Sequence, residues 1–296
     1  MRQTDVTPTT TVLQPSVPQR TLRLCRLLLA VLLCGVCMPT AAVGETVKLG
    51  GTGTGLGTMQ MLAERLRNAD PQFSLGIVPN LGSSGGLKAL AAGAIDIAVT
   101  SRPLKSEEIA QGLVASEYGK TPFVLVTSKK GVTDLTTSQL VDMYAGKQLT
   151  WPDGSPIRLV LRPANDSDTG LLAGFSAGMR RALDSAMARE GMIVATNDQE
   201  SVDSIGRLPG ALGTSSLALL LSEKRPLTPL AINGVVPSVE TIADGSYPYL
   251  KSMYLVIKST PSAQVSRFLS FVLSPEGQTI LRATGHWSGA NASLAP

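Results

Sequence analysis

The chain has 296 residues, with 26 Lys and Arg against 22 Asp and Glu, a formal net charge of +4. Most of the excess sits in residues 1–44, as Arg2, Arg20, Arg23 and Arg26 against Asp5; the remainder keeps 22 basic and 21 acidic residues, which argues against a nucleic-acid surface. Cys25, Cys34 and Cys37 are the only cysteines and His286 the only histidine, so residues after 44 hold no disulfide framework, thiol nucleophile or Cys/His metal centre.

Taken in chain order, Arg20, Arg23 and Arg26 precede a 12-residue apolar stretch, Leu27 to Met38, followed by Pro39 and small residues to Gly44. This pattern predicts a secretory signal peptide with an extended n-region over 1–44, cleaved near Ala42 or Gly44, and a periplasmic mature protein. The apolar stretch is short for a membrane-spanning helix, which needs about 20 residues. Leu33 and Val36 stand where lipid attachment at Cys34 or Cys37 would want a small residue. After the leader, Val47 to Gly50 reads as a strand, and Leu56, Met59, Leu62, Ala63 and Leu66 repeat at helical spacing. Phe73 to Val78 and Ile95 to Val99 are further strands, with an Ala/Leu helix ending near Ala92 between them. Ser106 before Glu107 and Glu108 reads as a helix cap with an acidic first turn.

Pro122 to Thr127 is a strand, and Gly131 marks a crossing to a second lobe. Helix Thr137 to Tyr144, a packed turn around Trp151, strand Ile157 to Leu161 and one helix reaching about Arg189 follow. Gly210 to Gly213, Leu227 to Ile232 and Met253 to Ile257 are strands, and helices start at Ser262 and at Ser274-Pro275-Glu276. Such alternation predicts an α/β fold of layered sheet and helices.

Three times a strand ends in small, hydroxylated or glycine residues and a helix begins at once. The loops are Thr52 to Gly57 (with Thr54, Gly55 and Leu56), Ser83 to Gly86, and Asp166 to Gly170 (with Ser167, Asp168 and Thr169). Helix starts carry free N–H groups and a partial positive charge, and Ser/Thr hydroxyls add donors. If the loops converge they make a cradle for a tetrahedral oxyanion, and Arg162 at a strand end can add a forked, charge-assisted contact. The glycine run matches neither nucleotide fingerprint, so no nucleotide cofactor is expected. A rival signal is Gly174-Phe-Ser-Ala-Gly178, which fits the nucleophile elbow with His286 downstream. That serine hydrolase or phosphatase reading, with Ser176 as nucleophile, needs a buried strand before the serine. Leu171, Leu172, Phe175 and Met179 instead repeat at helical spacing, which puts Ser176 inside a helix and leaves His286 as an exposed or capping residue.

Several stretches resemble the phosphate-binding proteins of bacterial ABC importers (PstS-like). They are Gly82 to Leu90, Gly93 to Leu104, Leu135 to Leu140 with Trp151 to Gly154, and Gly210 to Gly213. Ile232 to Ser238 with Tyr247-Pro248, and Phe271 to Gln278, complete an ordered set running from about Val47 to Gly285. The resemblance implies a two-lobed periplasmic-binding-protein type II fold, each lobe a mixed sheet flanked by helices, with the ligand in the cleft between them. Residues 45–130 plus 250–296 would form lobe 1 and 131–249 lobe 2. It further implies a monomer without enzymatic activity, cofactor or metal, which binds phosphate or a similar oxyanion and hands it to an importer permease. Carried over residue by residue, the ligand site is Thr54, Gly55, Leu56, Ser83, Ser101, Arg162, Ser167, Asp168 and Thr169. Ser101 stands where the phosphate-specific proteins typically have aspartate, the acceptor for a proton on phosphate, and Asp168 stands where glycine is usual. Asp168 is therefore either the replacement acceptor or a charge that repels a fully ionised anion. A sensor or surface-interaction protein of the same fold is the remaining alternative.

Overall fold

The computed structural model describes residues 45–289, with Thr9 and Thr11 isolated before them; the signal peptide expected over 1–44 lies outside the described residues. Strands are β1 (Val47–Gly51), β2 (Leu75–Val78), β3 (Ile97–Thr100), β4 (Leu113–Thr127), β5 (Asp134–Leu135) and β6 (Arg158–Leu161). Then come β7 (Ile193–Val194), β8 (Ala211–Ser216), β9 (Thr228–Pro229), β10 (Ala231–Ile232) and β11 (Leu250–Lys258). Helices are α1 (Gly53–Ala69), α2 (Gly82–Ala91), α3 (Ser106–Ala110), α4 (Thr137–Ala145), α5 (Ser167–Ala173) and α6 (Ala177–Met187). The last five are α7 (Asp198–Arg207), α8 (Leu217–Ser222), α9 (Val239–Ala243), α10 (Ala263–Leu273) and α11 (Pro275–Ala283).

One mixed sheet runs in the order β2-β1-β3-β11-β4-β8-β6-β7, with β9 against β4. β1 lies parallel to β2 and β3, and β11 inserts antiparallel between β3 and β4. β4 is the shared member: Leu113 to Pro122 pairs with β11, and Phe123 to Thr127 pairs with β8. Core membership changes at the same point. Val47, Leu49, Met59, Leu62, Val99, Tyr118, Leu255 and Phe268 pack in one core, and Phe123, Leu125, Leu140, Trp151, Leu161 and Leu183 in another. The opposite sheet face carries a smaller core on each side, around Leu87 and Val256 and around Val126 and Ile205. Pairing partner and core both change at Pro122–Phe123, inside a strand, and Gly131 occupies a surface turn with φ of 81°. Pro122 has no N–H to give the ladder at this point, and the next N–H, that of Phe123, donates to the Tyr249 carbonyl at 3.0 Å.

Other expectations are adjusted by local chemistry. The single helix to Arg189 is broken at Gly174–Ser176, because the Ser176 hydroxyl accepts from Met179 N–H at 3.0 Å and caps α6. Ser176 is thus an N-cap, neither mid-helix nor on a strand-to-helix elbow. Lys105, not Ser106, precedes α3, and the Glu108 carboxylate accepts its N–H at 2.8 Å. Trp151 is packed as expected, buried with its indole N–H on Gly210 carbonyl at 3.0 Å. His286, expected exposed or capping, is buried beside Tyr118, and burial pushes its pKa down to about 4.

β1 ends in a conformation only glycine tolerates. Gly51 has φ of 137°, and a Cβ there would fall 2.0 Å from the Val99 carbonyl oxygen. Gly86 of α2 presses on the same spot, where a Cβ would come within 2.8 Å of Gly51 Cα. These contacts bring the starts of α1 and α2 close together at the carboxyl ends of parallel strands, where open α/β sheets hold ligands.

Candidate functional site

A cleft of about 170 Å³ opens at these strand ends. Thr52 and Gly53 from α1's start and Ser83 and Ser84 from α2 line one side; Arg162, Asp166, Ser167, Asn197 and Asp198 line the other. The second and third loops meet through hydroxyls. Ser83 Oγ and Ser101 Oγ are 3.2 Å apart, and Ser101 Oγ and Ser167 Oγ are 2.9 Å apart. Ser101 N–H also donates to Ser83 Oγ at 3.1 Å. A hydroxyl chain of this kind can turn its protons toward an anion without moving heavy atoms.

Arg162 is buried at the end of β6, with Nη2 2.7 Å from Asp166 and 3.4 Å from Asp198. Its Nε has no hydrogen-bond partner among the described residues. Burial opposes the Arg162 cation, but Asp198, Asp168 and Asp166 outweigh it and hold the pKa above its ordinary value. The guanidinium is permanently charged and keeps one donor free.

Not every expected residue reaches the cleft. Leu56 is part of the core around Met59, and a Cβ on Gly55 would strike Val99 and the Tyr118 hydroxyl. That turn is sealed inside the first core because the apolar face of α1 begins there. Thr54 is fully buried. The Thr169 hydroxyl donates inward, to the carbonyls of Pro163 at 2.8 Å and Arg162 at 3.2 Å. Asp168 lies beneath the cleft, with Oδ1 2.5 Å from Lys251 Nζ and Oδ2 3.2 Å from the Thr214 hydroxyl. Its carboxyl is pushed up to about 6 by burial, against the pull of Lys251 and with the help of Asp198 and Asp166. Paired in this way, Asp168 does not face the cleft as a proton acceptor. Ser83, Ser101, Arg162 and Ser167 are the expected residues that the structure brings together.

Two residues were not among those expected at the ligand site. Lys251 is fully buried opposite Thr121, one step from the Pro122 junction, and donates to Thr54 Oγ1 at 3.1 Å. Burial disfavours its charge, while Asp168 and Asp198 more than compensate and raise its pKa. Asp198, the first residue of α7, sends Oδ2 into the start of α1. It accepts from the Thr52 hydroxyl at 2.8 Å and from Thr54 N–H at 2.9 Å. Burial disfavours that carboxylate, but Lys251, Arg162, Thr52 and Thr54 together hold its pKa below the ordinary range. Arg162 and Lys251 thus face Asp166, Asp168 and Asp198, a net −1 with all five ionised.

Among the described residues Ser176 and His286 do not form a catalytic pair. Ser176 spends its hydroxyl on the α6 cap, and His286 Nδ1 lies 3.4 Å from Thr284 Oγ1, inside the core. Comparison with known proteins agrees. The model of the PBP superfamily domain matches residues 38–276, most of the chain. The chain belongs to the PBP superfamily. Among curated relatives, the Bacillus subtilis phosphate-binding protein PstS is 27% identical over 251 residues, 80% of each chain. The Borreliella burgdorferi phosphate-binding protein PstS is 24% identical over 212 residues, 69% of this chain and 76% of that one. A Clostridium perfringens structure solved with bound phosphate matches with a TM-score of 0.69 at 24% identity, over 82% of this chain and 99% of its own. The Azotobacter vinelandii periplasmic molybdate-binding protein matches with a TM-score of 0.59 at 16% identity, over 82% and 99%. At such identities the structural matches establish the two-lobed binding fold alone. As a member of this superfamily with PstS-type relatives, the chain is a non-enzymatic substrate-binding protein. Among the described residues no helix is long and apolar enough to cross a membrane.

Proposed function

We propose that the protein binds phosphate or a similar tetrahedral oxyanion in this cleft, outside the cytoplasm, and presents it to the permease of an ABC importer. The observation that carries the reading is the buried Arg162, whose Nε has no partner among the described residues, lining the same cleft as Ser83 and Ser167, which Ser101 links. A buried guanidinium with a donor to spare, in a cleft also lined by Ser and Thr hydroxyls and helix N-termini, is suited to a compact anion. Names carried by PstS relatives add phosphate as the leading candidate. On this reading residues 1–44 are an export leader, and the mature chain works as a monomer whose halves, divided near Pro122 and Leu250, close over the ligand.

Calorimetric titration with phosphate, arsenate, molybdate and sulfate tests the reading. We expect heat with at least one of them, and roughly tenfold or greater weakening in a Ser83→Ala/Ser167→Ala variant, the scale of lost hydrogen bonds to a charged group. Absence of heat with all four would refute it.

A further inference from the structure

The N-terminus of α1 is where the first of the three loops would offer its N–H groups to an anion. In the structure that place is taken by a carboxylate from the other half of the molecule. Asp198 Oδ2 receives the Thr52 hydroxyl and Thr54 N–H, at 2.8 and 2.9 Å, with the Thr54 hydroxyl at 3.4 Å. Its Oδ1 lies 3.4 Å from Arg162 Nη2 and 4.0 Å from Lys251 Nζ. Backbone N–H, hydroxyls and guanidinium are the donor types expected to hold an oxyanion. The neighbouring Gln199 continues the contact: its amide lies over Gly53, donating to the Gly53 carbonyl at 3.3 Å and to Glu223 at 2.8 Å. A Cβ on Gly53 would fall 2.2 Å from Gln199 Oε1, so the amide would have to shift to make room for it.

We infer that Asp198 is a tethered anion: it occupies the α1 N-terminus, links the two sides of the cleft, and must be displaced for an oxyanion to use those donors. Two physical arguments support this. α7 belongs to the second half of the sheet and α1 to the first, so each Asp198 hydrogen bond to Thr52 or Thr54 is a bond across the cleft. The charge balance points the same way. With Arg162 and Lys251 against Asp166, Asp168 and Asp198, an arriving anion meets a net −1 unless Asp198 withdraws. A protein with such a tether binds oxyanions more weakly than its donor set would allow, and the Asp198 contacts hold its two sides together.

This inference rests on the oxyanion reading for the role of the displaced site, but the tether itself is measurable without ligand. Asp198→Asn keeps the shape and removes the charge; Thr52→Val removes a donor from the opposite side. Small-angle scattering of the ligand-free proteins, with circular dichroism to verify folding, should give a larger radius of gyration for both variants than for wild type. Calorimetry with potassium phosphate should show Asp198→Asn binding at least about tenfold tighter, the scale set by removing a charge a few ångströms away. An unchanged radius with unchanged or weaker phosphate binding would overturn the tether while leaving the oxyanion reading intact. Expansion in both variants with no phosphate heat in any protein would uphold the tether and sink the oxyanion reading. No expansion and no heat would sink both.

Discussion

Replacing Lys251 with methionine removes a buried charge while keeping a long, unbranched side chain, so the change is electrostatic before it is steric. The ammonium lies 2.5 Å from Asp168, 3.1 Å from the Thr54 hydroxyl and 4.0 Å from Asp198. Taking away one partner of a buried pair leaves the other uncompensated, at a cost of about 3–5 kcal/mol. Domains of ordinary stability have about 5–15 kcal/mol in total, so Lys251→Met should fold but sit close to its limit. Urea unfolding followed by far-UV circular dichroism reads the loss as a lower midpoint. Adding Asp168→Asn, which keeps the Thr214 contact and buries no charge, should recover at least half of it. The pH dependence supplies a second check. The Asp168 carboxyl, already pushed up to about 6 by burial, rises further without Lys251. A carboxyl whose folded pKa exceeds its unfolded value near 3.9 makes the protein more stable as pH falls between the two, so Lys251→Met should regain stability from neutral pH toward pH 4. A loss below about 1 kcal/mol, or a double variant no more stable than the single one, would refute the reasoning.

Gly51→Ala should cost about 3 kcal/mol or more in urea unfolding, because its Cβ would meet the Val99 carbonyl oxygen at 2.0 Å in a left-handed backbone. Ser176→Ala should cost about 1 kcal/mol through the lost α6 cap and leave every oxyanion titration unchanged; loss of ligand binding would contradict its assignment as a cap. His286, held down to about 4 by burial, favours the unfolded chain as pH falls from its unfolded value near 6.5. His286→Gln should therefore remove acid sensitivity between pH 6.5 and 4, amounting to about 3 kcal/mol at the lower end; an identical pH profile of unfolding free energy would show that His286 does not titrate as placed.

The α/β class, most strands and the Ser83–Ser101–Arg162–Ser167 part of the cleft were legible because each has a local signature: apolar runs, helix starts and an arginine at a strand end. Other features lack one. The first half of β4 is interrupted by Ser116, Glu117 and Lys120 and carries no clear strand pattern; it is a strand because β11 pairs along it. Asp198 looks like an ordinary acidic residue complementing its own helix dipole, and nothing local shows that its carboxylate serves a different helix. Lys251 precedes the apolar run from Met253 and reads as a solvated strand end, yet it is buried with Asp168, 83 positions earlier. Leu56 shows the opposite case. Its place in the loop motif suggested contact with ligand, while its place on α1's apolar face put it in the core. Long-range charge pairing is what the one-dimensional pattern hides.

The central position of β11 bears on the order in which the chain can fold. Residues 123–249 form a continuous stretch with its own cores, so that half can assemble as soon as it is made. The other half is split: β1 to β3 come early, but the strand joining them to β4 is Leu250–Lys258, near the end of the chain. Until it arrives, β3 and the first half of β4 have no partner on their facing edges, and unpaired edges invite association with other chains. Such late, non-local closure is slow compared with helix formation. A nascent or truncated chain ending before residue 250 should therefore depend on chaperones in a way that the finished protein does not.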